Sequence, residues 1–381
     1  MNALAAISIL LALPAFTSAA YFCIAAARLR QWMDERRPAR EDDAVSPPVT
    51  FFRPLKSGVP GLTAKLATLA DAMHPGDQLL LGAEAGSAEW TAAESVRRTF
   101  PDRDMTTVAC APGTALNPKI SKLLQMEPLA KHEHWILSDS EAATDRDFLA
   151  AFRHEWTHCD VLTAGYRFSN IATWPQRLDA AAILLTLWPG LAVVRASGRV
   201  RFTLGACTGF RRSDVQAVGG WRAFADELAE DNRLGAALAA AGRKIRLSSQ
   251  VVTLDSDPLS WRDYWRHQRR VAVTYRLANS AGFAGAFLTQ GVTTSLLLGC
   301  LRPAAAWTWI LFASVFAIRC VTALDAAEKI ALPVSRLAPA VLLASIVETA
   351  CWVLSWGTRH VWWGGVRWGL QREKLQPAEP A

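Results

Sequence analysis

With 381 residues, 51% of them hydrophobic and 20% charged, the chain is too long for one small domain and too apolar for an ordinary soluble enzyme. The formal net charge of +7 does not indicate nucleic acid: basic residues crowd the flanks of apolar segments, where each attracts anionic headgroups by about 1 kcal/mol, and no aromatic–basic stacking platform or zinc-finger spacing accompanies them. The seven cysteines (Cys23, Cys110, Cys159, Cys207, Cys300, Cys320, Cys351) are scattered without a CxxC pair, which argues against a disulfide framework or a thiolate metal site and suits a cytoplasmic location.

The first segment, Asn2 to Ala27, carries no charge and is long enough to cross a hydrocarbon core of about 30 Å as a helix. Ser18-Ala19-Ala20 has the small residues of a cleavage site, but no basic region precedes the apolar stretch, which continues past that point, so an uncleaved anchor is expected over 1–30. The basic run "RLRQWMDERRPAR" that follows favours the cytoplasmic side. From Pro47 to Ser280 short apolar runs alternate with helical stretches, the mark of a βαβ-type sheet. Strands are predicted at Val49–Lys56, Gln78–Glu84, Met105–Cys110, His134–Asp139 and Asp160–Phe168. Helices are predicted at Gly61–Met73, Ser87–Phe100, Lys119–His132 and Asp145–Trp156. The apolar, proline-broken Trp174–Gly198 reads either as an interfacial segment presenting a lipid or as a buried helix packed on the sheet. Three apolar blocks close the chain: Gly282–Leu301, Ala304–Ala323 and Leu337–Trp356. The first, with Gly282, Gly285 and Gly291, is the candidate for an interfacial or re-entrant segment. The expected layout is an anchor at 1–30, a cytosolic α/β domain at 47–280, membrane helices at 281–358 and a basic tail at 359–381.

Ligands of open α/β sheets bind outside the carboxyl ends of the strands, which places Lys56, Glu84 and Asp139 at one crevice. Asp139 and Glu141 form a D-x-E pair able to share one hard divalent cation, Mg2+ or Mn2+, with substrate phosphates. The alternative is that Asp139 caps a helix and Glu141 is solvated. Glu230-Asp231 opens a later helix, where a carboxylate either complements the dipole or acts as a general base. Farther on, Arg266, Arg269 and Arg270 share one helical face that can clamp a diphosphate or sit on headgroups.

The ordered series "RPLKSGVPGL", "LNPKISKL", "LSDSE", "GACTGFRRSDVQAVGGW", "LAEDNRLG" and "RHQRR", between an amino-terminal anchor and an apolar carboxyl end, resembles the ceramide glucosyltransferase family. The resemblance runs from about Val49 to Arg276. It implies a GT-A, Rossmann-like nucleotide-diphospho-sugar transferase that inverts configuration and moves a sugar from a UDP-sugar to a membrane lipid hydroxyl. It also implies roles: Asp139 touching sugar-nucleotide and metal, Asp231 as catalytic base, Asn117 and Lys119 (with Pro118) near the donor, and Arg266–Arg270 standing for an R/Q-x-x-R-W motif. Two departures stand out. Glu84 replaces the aspartate expected after the second strand, and Arg270 replaces the closing tryptophan. The implied setting is a multi-pass protein of the bacterial inner membrane with its catalytic domain in the cytoplasm, whose partners are a nucleotide-sugar and a lipid rather than nucleic acid.

Three rival readings come with this one. "HEWTH", His154 to His158, is a literal zinc-protease pattern, though without an evident third ligand. A processive polysaccharide synthase shares the catalytic layout but usually needs more membrane helices. A catalytically silent scaffold is suggested by Glu84 and Arg270.

Overall fold

The structure is a computed structural model that describes residues 3–36, 47–255, 260–363, 366–371 and 374–377. Of the expected basic segments, residues 37–40, 364–365, 372–373 and 378–381 lie outside these. The chain divides into two compact units. One comprises Met1–Glu35, Asn170–Ser197 and Pro258–Arg367; the other comprises Arg36–Ser169, Gly198–Asp257 and Trp368–Ala381. The segments 170–197 and 258–280, read from sequence as part of the α/β domain, thus group with the apolar helices.

The second unit is built on an eight-stranded sheet. Its strands are β1 (Val49–Pro54), β2 (Gln78–Ala83), β3 (Asp104–Ala109), β4 (His134–Ser138), β5 (Ala142–Ala143), β6 (Val161–Phe168), β7 (Cys207–Arg211) and β8 (Ile245–Leu254), in the order β3-β2-β1-β4-β7-β6-β8-β5. β1 to β4 are parallel, as their helical crossovers require, whereas β7 runs antiparallel between β4 and β6. Side-chain alternation gives the sheet two cores. Phe51, Leu79 and Leu81 pack with Leu66, Leu69, Val96 and Phe152 on one face; Phe52 and Leu80 pack with Ile120, Leu123, Met126, Leu234 and Leu238 on the other. A bidentate, fully buried ion pair between Arg153 and Asp77, with nitrogen–oxygen distances of 2.6 and 3.0 Å, fixes the start of β1, because Asp77 Oδ1 also accepts from the Val49 amide.

The first unit is helical. Leu4–Asp34, Trp174–Ser197, Ala306–Lys329 and Val334–Ser355 are each long and apolar enough to cross a membrane, and Ser280–Thr289 with Gly291–Leu301 makes a fifth, bent by 50° at its break. This bent pair is the block singled out from sequence by its glycines. At the break the helices approach closely, since a Cβ on Gly291 would lie 2.6 Å from the Ser18 Cβ. Trp174–Ser197 contains a π-turn at Ile183–Leu187 just before Pro189, which has no amide hydrogen to offer an ordinary helical bond. The segment read as a basic tail contains strands β9 (His360–Trp363), β10 (Val366–Gln371) and β11 (Lys374–Pro377), the last two paired antiparallel. Alternation of Val366, Trp368 and Leu370 with polar or small residues accounts for the extended form.

Candidate active site

The carboxyl ends of β1, β2 and β4 lie along one edge of the sheet. Because β7 is antiparallel, its entry loop reaches that same edge, with Cys207 paired to Ser138. Asp139 leaves β4 there and starts a turn closed by the Ala142 amide donating to the Asp139 carbonyl at 3.1 Å. Glu141 lies inside the turn. Its carboxylate accepts from Lys56 Nζ at 2.8 Å and from Ser140 Oγ at 3.0 Å.

Asn117 caps the Pro118–Met126 helix, its Oδ1 accepting from the amides of Lys119 at 2.8 Å and Ile120 at 3.2 Å, with Pro118 in the favoured first position. The Asn117 amide nitrogen donates to Glu230 Oε2 at 3.1 Å. Lys119 points into the site, 2.7 Å from Asp139 Oδ1 and 3.2 Å from Glu230 Oε1. Gly205 provides the remaining wall. A Cβ there would meet Asp139 Oδ2 at 2.9 Å, Lys119 Nζ at 3.2 Å and Asp231 Oδ2 at 3.3 Å, so three charged groups from three elements converge on one point. The Glu230–Ala240 helix that delivers Asp231 is attached to the same loop. Thr203 Oγ1 donates to the Asp231 carbonyl at 2.6 Å, and Gly235 lets the helix backbone press on Phe202 and Thr203. A small recess opens here, bordered by Lys119, Thr203, Gly205, Glu230 and Asp231.

Burial sets the electrostatics. It pushes the Asp231 carboxyl up to about 7, and the neighbouring Glu230 adds to this while Lys119 opposes it. Asp139 is also raised, by burial first, with Lys119 pulling the other way. Burial works against the charge on Glu141 too, yet Lys56 and Ser140 hold it below its usual range. Burial likewise disfavours the Lys119 ammonium, but Asp139, Glu230 and Asp231 together keep it charged. The site therefore contains one carboxyl poised near neutrality beside carboxylates matched to ammonium groups.

A family model for glycosyl transferase family 21 matches residues 9–375. The chain belongs to glycosyl transferase family 21. Among solved structures, this transferase is similar to the mannosyltransferase PcManGT from Pyrobaculum calidifontis, solved with GDP-Man and Mn2+, at 19% identity and a TM-score of 0.54 over 91% of this chain and 99% of that one. A match to S. aureus TarS with UDP-GlcNAc covers 87% of this chain and all of that one at 15% identity and a TM-score of 0.36. The fold is thus of the GT-A glycosyltransferase kind, with apolar helices, one of them amino-terminal, that can anchor it in a membrane.

Other residues of the transferase singled out from sequence lie elsewhere. Glu84 follows β2 on the same sheet edge, exposed and two strands from β4, roughly 10 Å at ordinary strand spacing. Arg266, Arg269 and Arg270 ride on the helix Trp261–Ala278 of the helical unit. There Arg266 stacks 4.4 Å from the Trp362 ring centroid, Arg269 donates to Thr358 at 3.0 Å and Arg270 faces His267 at 3.1 Å. In the HEWTH stretch, Glu155 is engaged structurally: its carboxylate takes the Ser249 amide at 3.0 Å and the Ser249 hydroxyl at 2.5 Å, beside the shift in β6–β8 register. Among the described residues no three His, Cys, Asp or Glu side chains gather as a metal-binding group, so the zinc-protease pattern lacks its third ligand. Glu230, Thr203 and Arg53 also shape the site. Glu230 had been read only as part of a helix entrance, and Thr203 carried no signal. Arg53 is one of two charges, with Lys56, in the predicted first strand.

Proposed function

We propose that this chain is an inverting glycosyltransferase that moves a sugar from a nucleoside diphosphate-sugar, UDP-linked by family resemblance, to the hydroxyl of a membrane lipid of the ceramide or related glycolipid type. The observation that carries the reading is the convergence of Asp139, Lys119 and Asp231 on Gly205. Asp139 and Glu141, one residue apart at the end of β4, offer carboxylate oxygens of the kind that hold a Mg2+ or Mn2+ ion together with phosphate oxygens and water. Asp139 and Glu141 would hold that ion, which when bound neutralises charge developing on the diphosphate.

The chain's own residues supply the rest. Lys119 and Lys56 place positive charge beside the departing diphosphate, and Asn117 holds Glu230 in place. Asp231, with a carboxyl that ionises near neutral pH, takes the proton from the acceptor hydroxyl. The acceptor oxygen then bonds to the anomeric carbon as the bond from that carbon to the diphosphate oxygen breaks. The electron pair leaves with the nucleoside diphosphate, and configuration inverts in one displacement. By resemblance Arg266–Arg270 stands for the R/Q-x-x-R-W motif, and Glu84 takes the place of the aspartate near the nucleoside. Membrane insertion through the apolar helices, with the sheet unit on the cytoplasmic side of a bacterial inner membrane, gives the enzyme access to lipid acceptors.

The test incubates membranes containing the protein with labelled UDP-glucose, UDP-N-acetylglucosamine and GDP-mannose in the presence of Mn2+, then resolves the lipids. Label entering a lipid band, lost in Asp231→Asn, supports the reading. The idea is overturned if every donor remains intact with lipid present, or if label appears with the donor's own anomeric configuration.

A further inference from the structure

Arg53 is the one charged side chain of β1, and it is completely buried. A guanidinium in the interior is unfavourable unless its protons are taken up, and here both terminal nitrogens find acceptors while Nε has none among the described residues. Nη1 donates to the carbonyl oxygens of Asp139 at 2.5 Å and Ala142 at 2.8 Å, and Nη2 donates to Thr144 Oγ1 at 3.2 Å. The two carbonyls belong to the first and last residues of the turn that carries Glu141. One nitrogen of a rigid side chain therefore bridges the two ends of the turn and the other ties it to Thr144, while Asp139 and Glu141 direct their carboxylates to Lys119 and Lys56. A lysine at this position lacks the second nitrogen anchored on Thr144, so nothing fixes the direction of its contacts to the two carbonyls.

We infer that Arg53 is a positioning residue, which locks the Asp139–Ala142 turn so that the Asp139 and Glu141 carboxylates present a joint site for a divalent cation. This rests on the reading of that pair as the holder of the ion. Support from beneath sets the direction of the two oxygen donors without Arg53 touching donor or acceptor. The role predicts a defect confined to the metal, not one spread over catalysis as a whole.

The decisive variant is Arg53→Lys, measured in two ways. The first is Mn2+ binding, followed by the electron paramagnetic resonance of free Mn2+ in the presence of UDP or GDP; it should weaken about tenfold or more, as for other outer-shell partners of metal ligands. The second is hydrogen exchange of amides 140–142, which should quicken about tenfold while β1 and β2 keep their protection. In turnover, the Mn2+ needed for half-maximal rate rises and the acceptor KM stays put. If Arg53→Lys fails to fold, Thr144→Val removes one prong of the fork, and the same two measurements should move in the same direction by a smaller factor. Unchanged Mn2+ binding and exchange in a folded variant overturns the inference, as does a loss of melting temperature with neither effect. Failure of the wild type to transfer any sugar counts against the proposed function alone, because binding and exchange still judge Arg53.

Discussion

Lys119 Nζ stands 2.7 Å from Asp139 Oδ1 and 3.2 Å from Glu230 Oε1, so one ammonium serves carboxylates from two different elements. Lys119 also draws down the Asp231 carboxyl, against the burial that raises it. Replacing it by methionine keeps the volume and removes the shared cation. Lys119→Met should lower kcat/KM by about 10²-fold or more and move the acid limb of the pH profile upward, because Asp139 and Asp231 both become harder to ionise. A profile with its midpoint unmoved would remove Lys119 from the electrostatics of the site.

Asp231 ties activity to stability through the same proton. Its folded-state carboxyl ionises near 7 against an ordinary value of 3.8, so between these values the folded protein holds a proton that the unfolded chain has released. The stability this contributes is complete below the unfolded value and is lost as pH rises through about 7. Asp231→Asn stays neutral throughout. It should melt at about the wild-type temperature near pH 4 and several degrees higher near pH 7, while turnover falls by about 10²–10⁴. Melting curves at the two pH values, beside rates, check both halves.

Gly205 is needed for space. An added methyl would crowd Asp139 Oδ2, Lys119 Nζ and Asp231 Oδ2, all of them far ends of side chains that can give way. Gly205→Ala is therefore expected to fold with a stability change below about 1 kcal/mol and to lose at least about tenfold in turnover, because displacement of this order from productive geometry is costly.

Gly235 makes the opposite case. Its added Cβ would lie 2.2 Å from the Thr203 amide nitrogen and 2.3 Å from the Phe202 carbonyl carbon, so backbone must move. Gly235→Ala should destabilise the sheet unit by about 1–3 kcal/mol, and any surviving activity should be lost with it as the helix bearing Asp231 shifts. Denaturant unfolding of this variant beside Gly205→Ala separates the two effects.

The elements from Val49 to Phe168 were legible because β1, β2 and β4 are largely apolar and buried on both faces, and three of the helices open on the caps Ser87, Asn117 and Asp145. β7 and β8 were not. "CTGFR" reads as a loop, yet Gly209 is extended there because Trp156 occupies the place of a side chain, 3.0 Å from where a Cβ would be. In β8, Ser248-Ser249-Gln250 interrupts the pattern, and Glu155 provides the partners that make the interruption tolerable. An antiparallel strand has no local signature, so the alternation of strands and helices suggested parallel pairing throughout. The consequence for the site is that Gly205 and Thr203 arrive beside Asp139 only because β7 runs backward. Asp139, Lys119 and Asp231 were marked by residue type and order, but Arg53 acts through backbone carbonyls, and no spacing rule detects that.

In the helical unit, Arg319 is 2% exposed at the middle of the Ala306–Lys329 span. Its Nη2 lies 2.5 Å from Glu348 Oε2, and its Nη1 donates at 3.0 Å to the carbonyl of Thr289, the last residue before the 50° break. Gln290, at the break itself, donates to the other Glu348 oxygen at 3.3 Å. A broken helix leaves carbonyls without intrahelical donors, and in an apolar setting these must be met by other side chains. Removing one member of a buried pair leaves the other charge uncompensated, typically at about 3–5 kcal/mol. Glu348→Ala should therefore cost about that much in a melting or denaturant assay in detergent, and Glu348→Gln, which keeps the hydrogen-bond acceptor, clearly less. Adding Arg319→Met to Glu348→Ala should recover part of the loss, and a double-mutant cycle showing strictly additive effects would mean that the pair does not hold the break together.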